Sequence, residues 1–330
     1  MSEVTTNVLR AAYNNVDLVG VLKSKEVAEG ANDKGGYITI DCVIATSPES
    51  EHKVKITANR MTKGTKDKPS EESGYYKGLC TVRDTYVSVA DLMKKDMSFE
   101  EAFNQADKVS ISRGSLTKNE YYNQGGQLVS RDMIRASALS RVKPEEYHPM
   151  ARFDIEGYIE KKHDEMVNEE ETGRIFLDML IPEYGGKIIP MRFVTTKEAG
   201  SYIRNHYEIG NTVRIYGELI DTVQKTETRI EGFMKEEVKM TTTHVHEYLV
   251  DNGSPEPYDE ESNNAYKRND ILNALKVRET EYLPSLLERS KNRSNRPAAA
   301  AGFAAANAGF ALPNNSFAPP QNKPFSLSDL

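Results

Sequence analysis

Between Lys53 and Lys68 the chain carries six cations, Lys53, Lys55, Arg60, Lys63, Lys66 and Lys68, against Asp67 alone, a local charge of +5. Cations gathered in this way suit a polyanion, because they track phosphates and release the counterions condensed on them. Tyrosines follow: Tyr75, Tyr76, Tyr86, and then the adjacent pair Tyr121 and Tyr122, flanked by Lys118, Arg131 and Arg135. An aromatic face stacks on any unpaired base, at about 1–3 kcal/mol per base. The chain has no Trp, so tyrosine and phenylalanine must supply all stacking. The candidate contacts are therefore Lys53, Lys55, Arg60, Lys63, Lys66, Lys68, Lys118 and Arg131 for phosphates, and Tyr75, Tyr76, Tyr121 and Tyr122 for bases. Each has a plainer alternative, a solvated loop for the lysines and a core or merely exposed position for the tyrosines. Lys53 and Lys55 alternate with Val54 and Ile56, which puts both lysines on one outer strand face; Tyr121 and Tyr122, being adjacent, point to opposite faces.

Catalytic chemistry is poorly served. His244 and His246 fall on one face of a strand and could ligate a metal, yet no third ligand stands near them in sequence, and two exposed strand histidines are the better reading. There is no phosphate-binding loop and no Gly-x-Ser-x-Gly. Gly35-Gly36 and Gly125-Gly126 read as turns. Cys42 and Cys80 are too few for a disulfide framework or a cysteine zinc site. The expectation is a binding protein rather than an enzyme, with no metal and no cofactor.

The net charge of −7 argues against a nucleic-acid partner only until its distribution is read. Residues 1–150 hold 21 Lys/Arg against 21 Asp/Glu, residues 151–250 hold 13 against 19, and residues 251–330 hold 9 against 10. A groove that follows a backbone needs local charge, not an overall excess. No apolar run of about 18 residues occurs, so no membrane span is expected. The N-terminus has no basic stretch leading into an apolar core, so a cytoplasmic location is expected.

Two segments read alike. The first copy opens with Val16 to Leu22 and the second with Phe153 to Ile159, both alternating and both holding a glycine, as a strand that bends into a barrel requires. Second strands follow at Tyr37 to Ile44 and Arg174 to Ile181, and third strands at Lys53 to Ala58 and Lys187 to Val194. Fourth strands run from Asp107 to Leu116 and from Asn211 to Leu219, each leading through a polar hairpin to a fifth. The connection between third and fourth strands is a helix, Thr196 to Tyr207, in the second copy. In the first it is an insertion over about 60–106 that includes a helix near Phe99 to Gln105. The pattern predicts an all-β protein with short helices, two tandem five-stranded barrels of the OB type. The expected domains are 1–150, which carries most of the nucleic-acid contact, 151–252, and a tail over 253–330. In that tail Asp270 to Arg289 is periodic like a helix and interrupted at Pro284. Asn292 to Lys323, rich in Ala, Asn and Pro with Phe303, Phe310 and Phe317 seven apart, is expected to be disordered.

Lys108 to Val129 (KVSISRGSLTKNEYYNQGGQLV) resembles the bacterial and phage single-stranded DNA-binding protein family: an apolar strand, a glycine, a leucine, a basic stretch, an aromatic, and a polar turn ending in Gly-Gln. Arg131 to Val142 is similar to that family's last strand and Asn15 to Ser24 to its first. Phe193 to Leu219 (FVTTKEAGSYIRNHYEIGNTVRIYGEL) carries the same resemblance in the second copy, with its Val-x-Ile-x-Gly-x-Leu close. The resemblance spans roughly 15–59, 107–143 and 152–250. It implies sequence-nonspecific binding of single-stranded DNA in replication, recombination or repair, with Tyr121 at a base-stacking position. The second copy has Gln224 at that place, which assigns stacking to the first. The family assembles four barrels from single-barrel chains, so a dimer of this chain would present the same number. The tail would recruit replication or recombination proteins, although here Pro324-Phe325 precedes the end and only Asp329 follows as an acid. The tandem form with its long insertion points to a bacteriophage or plasmid origin. Two other readings stay open: barrels serving as protein adaptors in a viral or replication assembly, and binding of RNA instead of DNA.

Overall fold

The computed structural model describes residues 9–32, 35–64, 69–231, 236–259 and 261–294, and within these all side chains except those of 224–240 and 293–294. Lys66, Lys68 and the segment from 295 onward, with Phe303, Phe310 and Phe317, lie outside the described residues. Strands β1 (Asn14–Gly30), β2 (Tyr37–Ala45) and β3 (Glu51–Asn59) are followed by helices α1 (Gly74–Thr85), α2 (Val89–Met93) and α3 (Phe99–Gln105), then β4 (Lys108–Ser112), β5 (Ser115–Tyr122), β6 (Leu128–Ala136) and β7 (Ala138–Arg141). The second half runs β8 (Met150–Val167), β9 (Glu170–Pro182), β10 (Ile188–Thr195), α4 (Lys197–His206), β11 (Thr212–Glu231), β12 (Glu236–Gly253), α5 (Arg268–Val277), a π-helical turn at Arg278–Tyr282, and α6 (Leu283–Ser294).

The second repeat closes into a five-stranded ring, β8-β9-β10-β12-β11 and back to β8, with β10 and β12 parallel at Val194↔Leu249. The first repeat differs from the expected five strands. Its ring runs β1-β2-β3-β6 and returns through β7 and β4 to β1, because the fourth and fifth strands are each broken into two. The break in the fourth falls at Arg113, which takes a left-handed φ of 53°, and Gly114. A Cβ on Gly114 would stand 2.3 Å from the Val16 carbonyl oxygen. The corresponding Gly217 sits at a register shift in β11, where a Cβ would stand 2.0 Å from the Leu249 oxygen. The glycine shared by the two copies is thus a close backbone approach in both.

Alternation sets the faces. On β3, His52, Val54, Ile56 and Ala58 are buried, while Lys53, Thr57 and Asn59 are exposed and Lys55 is half-exposed. One hydrophobic cluster contains Val16, Leu18, Ile40 and Ile56 of the first ring and Phe153, Ile155, Phe193 and Val213 of the second. Each large apolar side chain buried in this way contributes about 1.5–3 kcal/mol. The rings are joined strand to strand, β1 pairing antiparallel with β8 from Asn14↔Ile155 to Val19↔Met150.

Helix α3 stands where the sequence placed it, started by Ser98 and Glu101 in a reciprocal capping box. Helix α1 was not expected. Its sequence, GYYKGLCTVRDT, holds two glycines and two threonines, a weak helix former. It stands because Leu79 and Val82 are buried in the main cluster, and because Lys25 Nζ donates to the Val82 and Arg83 carbonyls, each at 3.0 Å, at its C-terminus. In the C-terminal helices the expected interruption near Pro284 is present. It takes the form of a π turn, and the chain stays helical through Leu283, whose N–H donates to the Arg278 carbonyl, and on past Pro284.

The chain divides into two compact units. One contains residues 1–118 and 132–268 and holds both rings. The other contains 119–131, the outer part of the β5–β6 hairpin, together with 269–330. Among the described residues no helix is long and apolar enough to cross a membrane.

Candidate nucleic-acid interface

In the first unit a strip of cations runs along the outer face of the first ring. Lys55 of β3 and Arg135 of β6 are register partners in parallel strands, with Val54 and Ile134 directed to the core beside them. Neighbouring strands lie about 4.8 Å apart, so two positive side chains emerge side by side. Lys55 Nζ is 3.3 Å from the Asp41 carboxylate on β2. Arg135 is exposed and has no ion-pair partner among the described residues. Lys53 is exposed on the same face one pleat earlier.

At the far end of β3 the strip meets an aromatic cluster. Arg60 Nε lies 3.3 Å from Glu72, which also receives Lys77 at 3.4 Å. This corner is held by a short ladder in which Ser73 donates to the Arg60 carbonyl at 2.7 Å and Thr62 to the Glu71 carbonyl at 2.8 Å. Tyr75, in the first turn of α1, is 43% exposed, and the Arg113 guanidinium stands 5.9 Å from its ring centre. Cations with an open tyrosine face at one end are the two components that single-strand binding requires. Arg113 escaped sequence reasoning because only the break in the fourth strand brings it to α1. Tyr76, the other member of the pair, packs partly into the core, and burial beside Cys80 raises its pKa. Lys63 is exposed on the same loop. Lys118 is drawn inward: its Nζ lies 2.6 Å from Asp132 and its side chain is 16% exposed.

In the second unit, the hairpin tip sorts its residues by face. Ser130 donates to Glu120 at 3.2 Å across the two strands, so these two share a face, and Tyr122, two residues on from Glu120, shares it too. Tyr121 and Arg131 belong to the opposite face and both are exposed. Tyr122 is half-buried.

The second ring treats its cations differently. Arg192 binds Asp178 through two hydrogen bonds of 2.7 and 3.0 Å, and Arg214 binds Asp154 through two of 2.6 Å. Arg174 reaches Glu247 at 2.6 Å, Arg152 reaches Asp251 at 2.8 Å, and Arg204 pairs with Asp164. Tyr184 is the exception to this quiet surface. It is 95% exposed at the β9–β10 turn, beside Gly185 and Gly186 with φ of 84° and 79°. The signal that could have found it is local, a tyrosine directly before two turn glycines.

Where the rings meet, a cavity of about 90 Å³ is lined by His52, Asp132, Leu219, Asp221, His246 and Tyr248 among others. His52 is 3% exposed and its Nε2 has no hydrogen-bond partner among the described residues. Burial lowers its pKa to about 4, against an opposing pull from Asp221. His246 Nδ1 lies 3.4 Å from Asp221, which raises its pKa. His244 is exposed, and no group of three or more potential metal ligands occurs among the described residues.

Compared with known proteins, the family described as YorF matches residues 12–286. No curated protein matches the sequence. Among solved structures, a deletion mutant of the single-stranded DNA binding protein from Thermus aquaticus aligns over 77% of this chain and 99% of its own, at 9% identity and a TM-score of 0.45. The wild-type protein from Thermus aquaticus aligns over 64% and 87%, at 11% identity and a TM-score of 0.38. A Replication Protein A heterotrimer bound to ssDNA aligns over 75% and 51%, at 9% identity and a TM-score of 0.18.

Proposed function

The chain belongs to the YorF family, and from its surface we propose that it binds single-stranded DNA without reading sequence, through the first of two tandem OB barrels. The observation that carries this reading is the strip of Lys53, Lys55 and Arg135 that ends at Arg60, Tyr75 and Arg113. Two cations in register on adjacent strands repel each other, and a phosphate between them converts that repulsion into attraction. Tyr75 offers a ring face where a base leaving the strip can stack. Tyr121 and Arg131, on one face of the hairpin tip, supply a second aromatic–cation pair. Lys63 is a further exposed cation on the loop after β3. Lys118, held by Asp132, and Tyr76, packed against the core, support the site rather than touch the strand. The role is one of covering exposed strands in replication, recombination or repair, not of catalysis.

The test is a titration of fluorescent oligo-dT of about 35 nucleotides, long enough for two barrels at about 4–16 nucleotides each, beside the matching duplex and the matching RNA, at low and high salt. Tight, salt-sensitive binding of the single DNA strand, weak binding of the duplex, and a loss on Tyr121→Ala are expected. Equal binding of the RNA would reassign the ligand. No binding of any strand at low salt would leave the barrels as protein adaptors.

A further inference from the structure

We propose that the C-terminal helical segment, residues 269–294, is a strap that covers one face of the β5–β6 hairpin tip and lifts when a strand of DNA takes that face, so that Tyr122 is a stacking residue held in reserve. The choice of DNA as the displacing ligand rests on the function proposed above; the covering of Tyr122 does not.

The catch is an ion pair between two parts of the chain 158 residues apart. The Glu120 side chain is 1% exposed and that of Arg278 is 11% exposed. Arg278 donates to both Glu120 oxygens, one of them at 2.9 Å, and Ser130 donates to the same carboxylate at 3.2 Å. Arg278 opens the π-helical turn and lies 5.6 Å from the ring of Tyr282, which closes it. A π turn inside an α-helix is uncommon and is frequently found at functional sites. Here the extra residue divides the strap at the point where it grips the hairpin. Glu120 and Tyr122 share the covered face, while Tyr121 looks the other way and is 36% exposed. The hairpin therefore presents one tyrosine and keeps the other half-buried.

A buried ion pair holds less firmly than an apolar contact of the same volume, because both charges must leave water. It has another property that an apolar contact lacks, in that it can be exchanged. Phosphate oxygens offer a guanidinium the same paired acceptors that a carboxylate does. A strand arriving at the hairpin can thus relieve Glu120 of Arg278, and the freed helix uncovers the second tyrosine.

The experiment uses the full chain with Arg278→Glu, Glu120→Arg, and the two together. Tyr122 nitration by tetranitromethane, separated from that of adjacent Tyr121 by fragment-ion masses, reports covering without any DNA, and oligo-dT titration reports affinity. Arg278→Glu should raise Tyr122 nitration, and a further variant, Glu120→Gln, which releases the Arg278 guanidinium for phosphate, should raise it too and tighten oligo-dT binding by about threefold to tenfold, since the fraction of molecules with the face open rises. The double reversal should restore the nitration of the parent. Unchanged nitration in Arg278→Glu would overturn the strap, and raised nitration with unchanged or weaker binding in Glu120→Gln would overturn the reserve role of Tyr122. If no form of the chain binds oligo-dT, the DNA reading fails and the reserve role with it, while nitration still decides whether the strap covers Tyr122. Should the variants fail to fold, hydrogen exchange over 269–294 in the wild-type chain takes their place: faster exchange on saturating with oligo-dT supports the strap, and unchanged exchange removes it.

Discussion

In the second ring all five arginines whose side chains are described are spent on carboxylates, two of them in paired hydrogen bonds no longer than 3.0 Å. In the first ring Arg135 stands beside Lys55 and has no ion-pair partner among the described residues, Lys55 meets Asp41 at 3.3 Å, and Arg113 stands over a tyrosine ring. The two repeats share their strand order, their bending glycine and a hydrophobic cluster, so the difference is not one of scaffold. It lies in what the outward half of each alternation carries. An arginine already bonded twice to a carboxylate must break that bond before it can bind a phosphate. A lysine and an arginine side by side, with a single 3.3 Å contact from that lysine to Asp41, have far less to give up. A repeated framework can therefore carry two different surfaces, and on the function proposed above the binding belongs to the first copy.

The severest test of this contrast is to reverse the strip. Lys53→Glu, Lys55→Glu and Arg135→Glu together should weaken oligo-dT binding by about two to three decades at 0.1 M salt. They should also flatten the salt dependence by about 2 in log–log slope, near 0.7 for each phosphate no longer neutralised. The fold should survive, because all three side chains leave the barrel outward. A triple variant that binds as tightly as the parent, with the same slope, moves the site elsewhere.

The joint between the rings offers the next largest effect, through His52. Its pKa of about 4 in the fold lies below the usual 6.5, so it stays neutral there while the unfolded chain takes up a proton. Stability from this group is full above pH 6.5 and is lost as pH falls towards 4, by about 3 kcal/mol in all. His246 acts in the opposite sense, since Asp221 raises its pKa and its contribution fades as pH rises through the folded value. Urea unfolding of the parent and of His52→Leu at pH 7 and pH 4.5 should show a smaller acid loss in the variant. Equal losses would mean that the joint opens before His52 protonates.

How far could the sequence alone go? The alternation of Val54 and Ile56 with Lys53 and Lys55 is a local property, and it placed β3 and its outer face correctly. The same held for α3, whose capping box lies within three residues, and for the change of helix near Pro284. What escaped was decided at long range. Helix α1 depends on the burial of Leu79 and Val82 and on Lys25 from β1, not on its own weak propensity. The break at Arg113 depends on how closely Gly114 approaches β1. The pairing of Glu120 with Arg278 joins residues that no local pattern connects. The candidate site is half legible: its tyrosines and its cations other than Arg113 can be named from the sequence, but the strip that orders them exists only once β3 and β6 lie parallel.

Tyr75 tests the end of the strip. Tyr75→Ala should weaken oligo-dT binding by about tenfold, near the lower part of the 1–3 kcal/mol range for one stacked base. It should leave the salt slope unchanged, because the phosphates keep their cations. The matching change on the other ring, Tyr184→Ala, should alter affinity less than twofold, although Tyr184 is the more exposed of the two at 95%. A larger loss from Tyr184 would show that exposure counts for more than neighbouring cations.

The smallest effect expected is also the most direct check on the proposal that the second ring takes no part in binding. Exchanging partners, Arg192→Asp with Asp178→Arg, keeps the ion pair while inverting its direction, in strands where the two residues are register neighbours. If paired arginines take no part in binding, oligo-dT affinity should change less than twofold and the salt slope not at all. Asp178→Asn alone is the complementary change. It leaves Arg192 without its carboxylate on a surface where 46% of its side chain already meets solvent, and gives the second ring one cation of the kind the first ring displays. A measurable gain in slope from that change, about 0.7 for one newly neutralised phosphate, would establish that the ion pairs, rather than the shape of the ring, keep the second barrel from the strand. No gain would assign the difference to shape, and the contrast between the repeats would then lie in the backbone of the two rings and not in their charges.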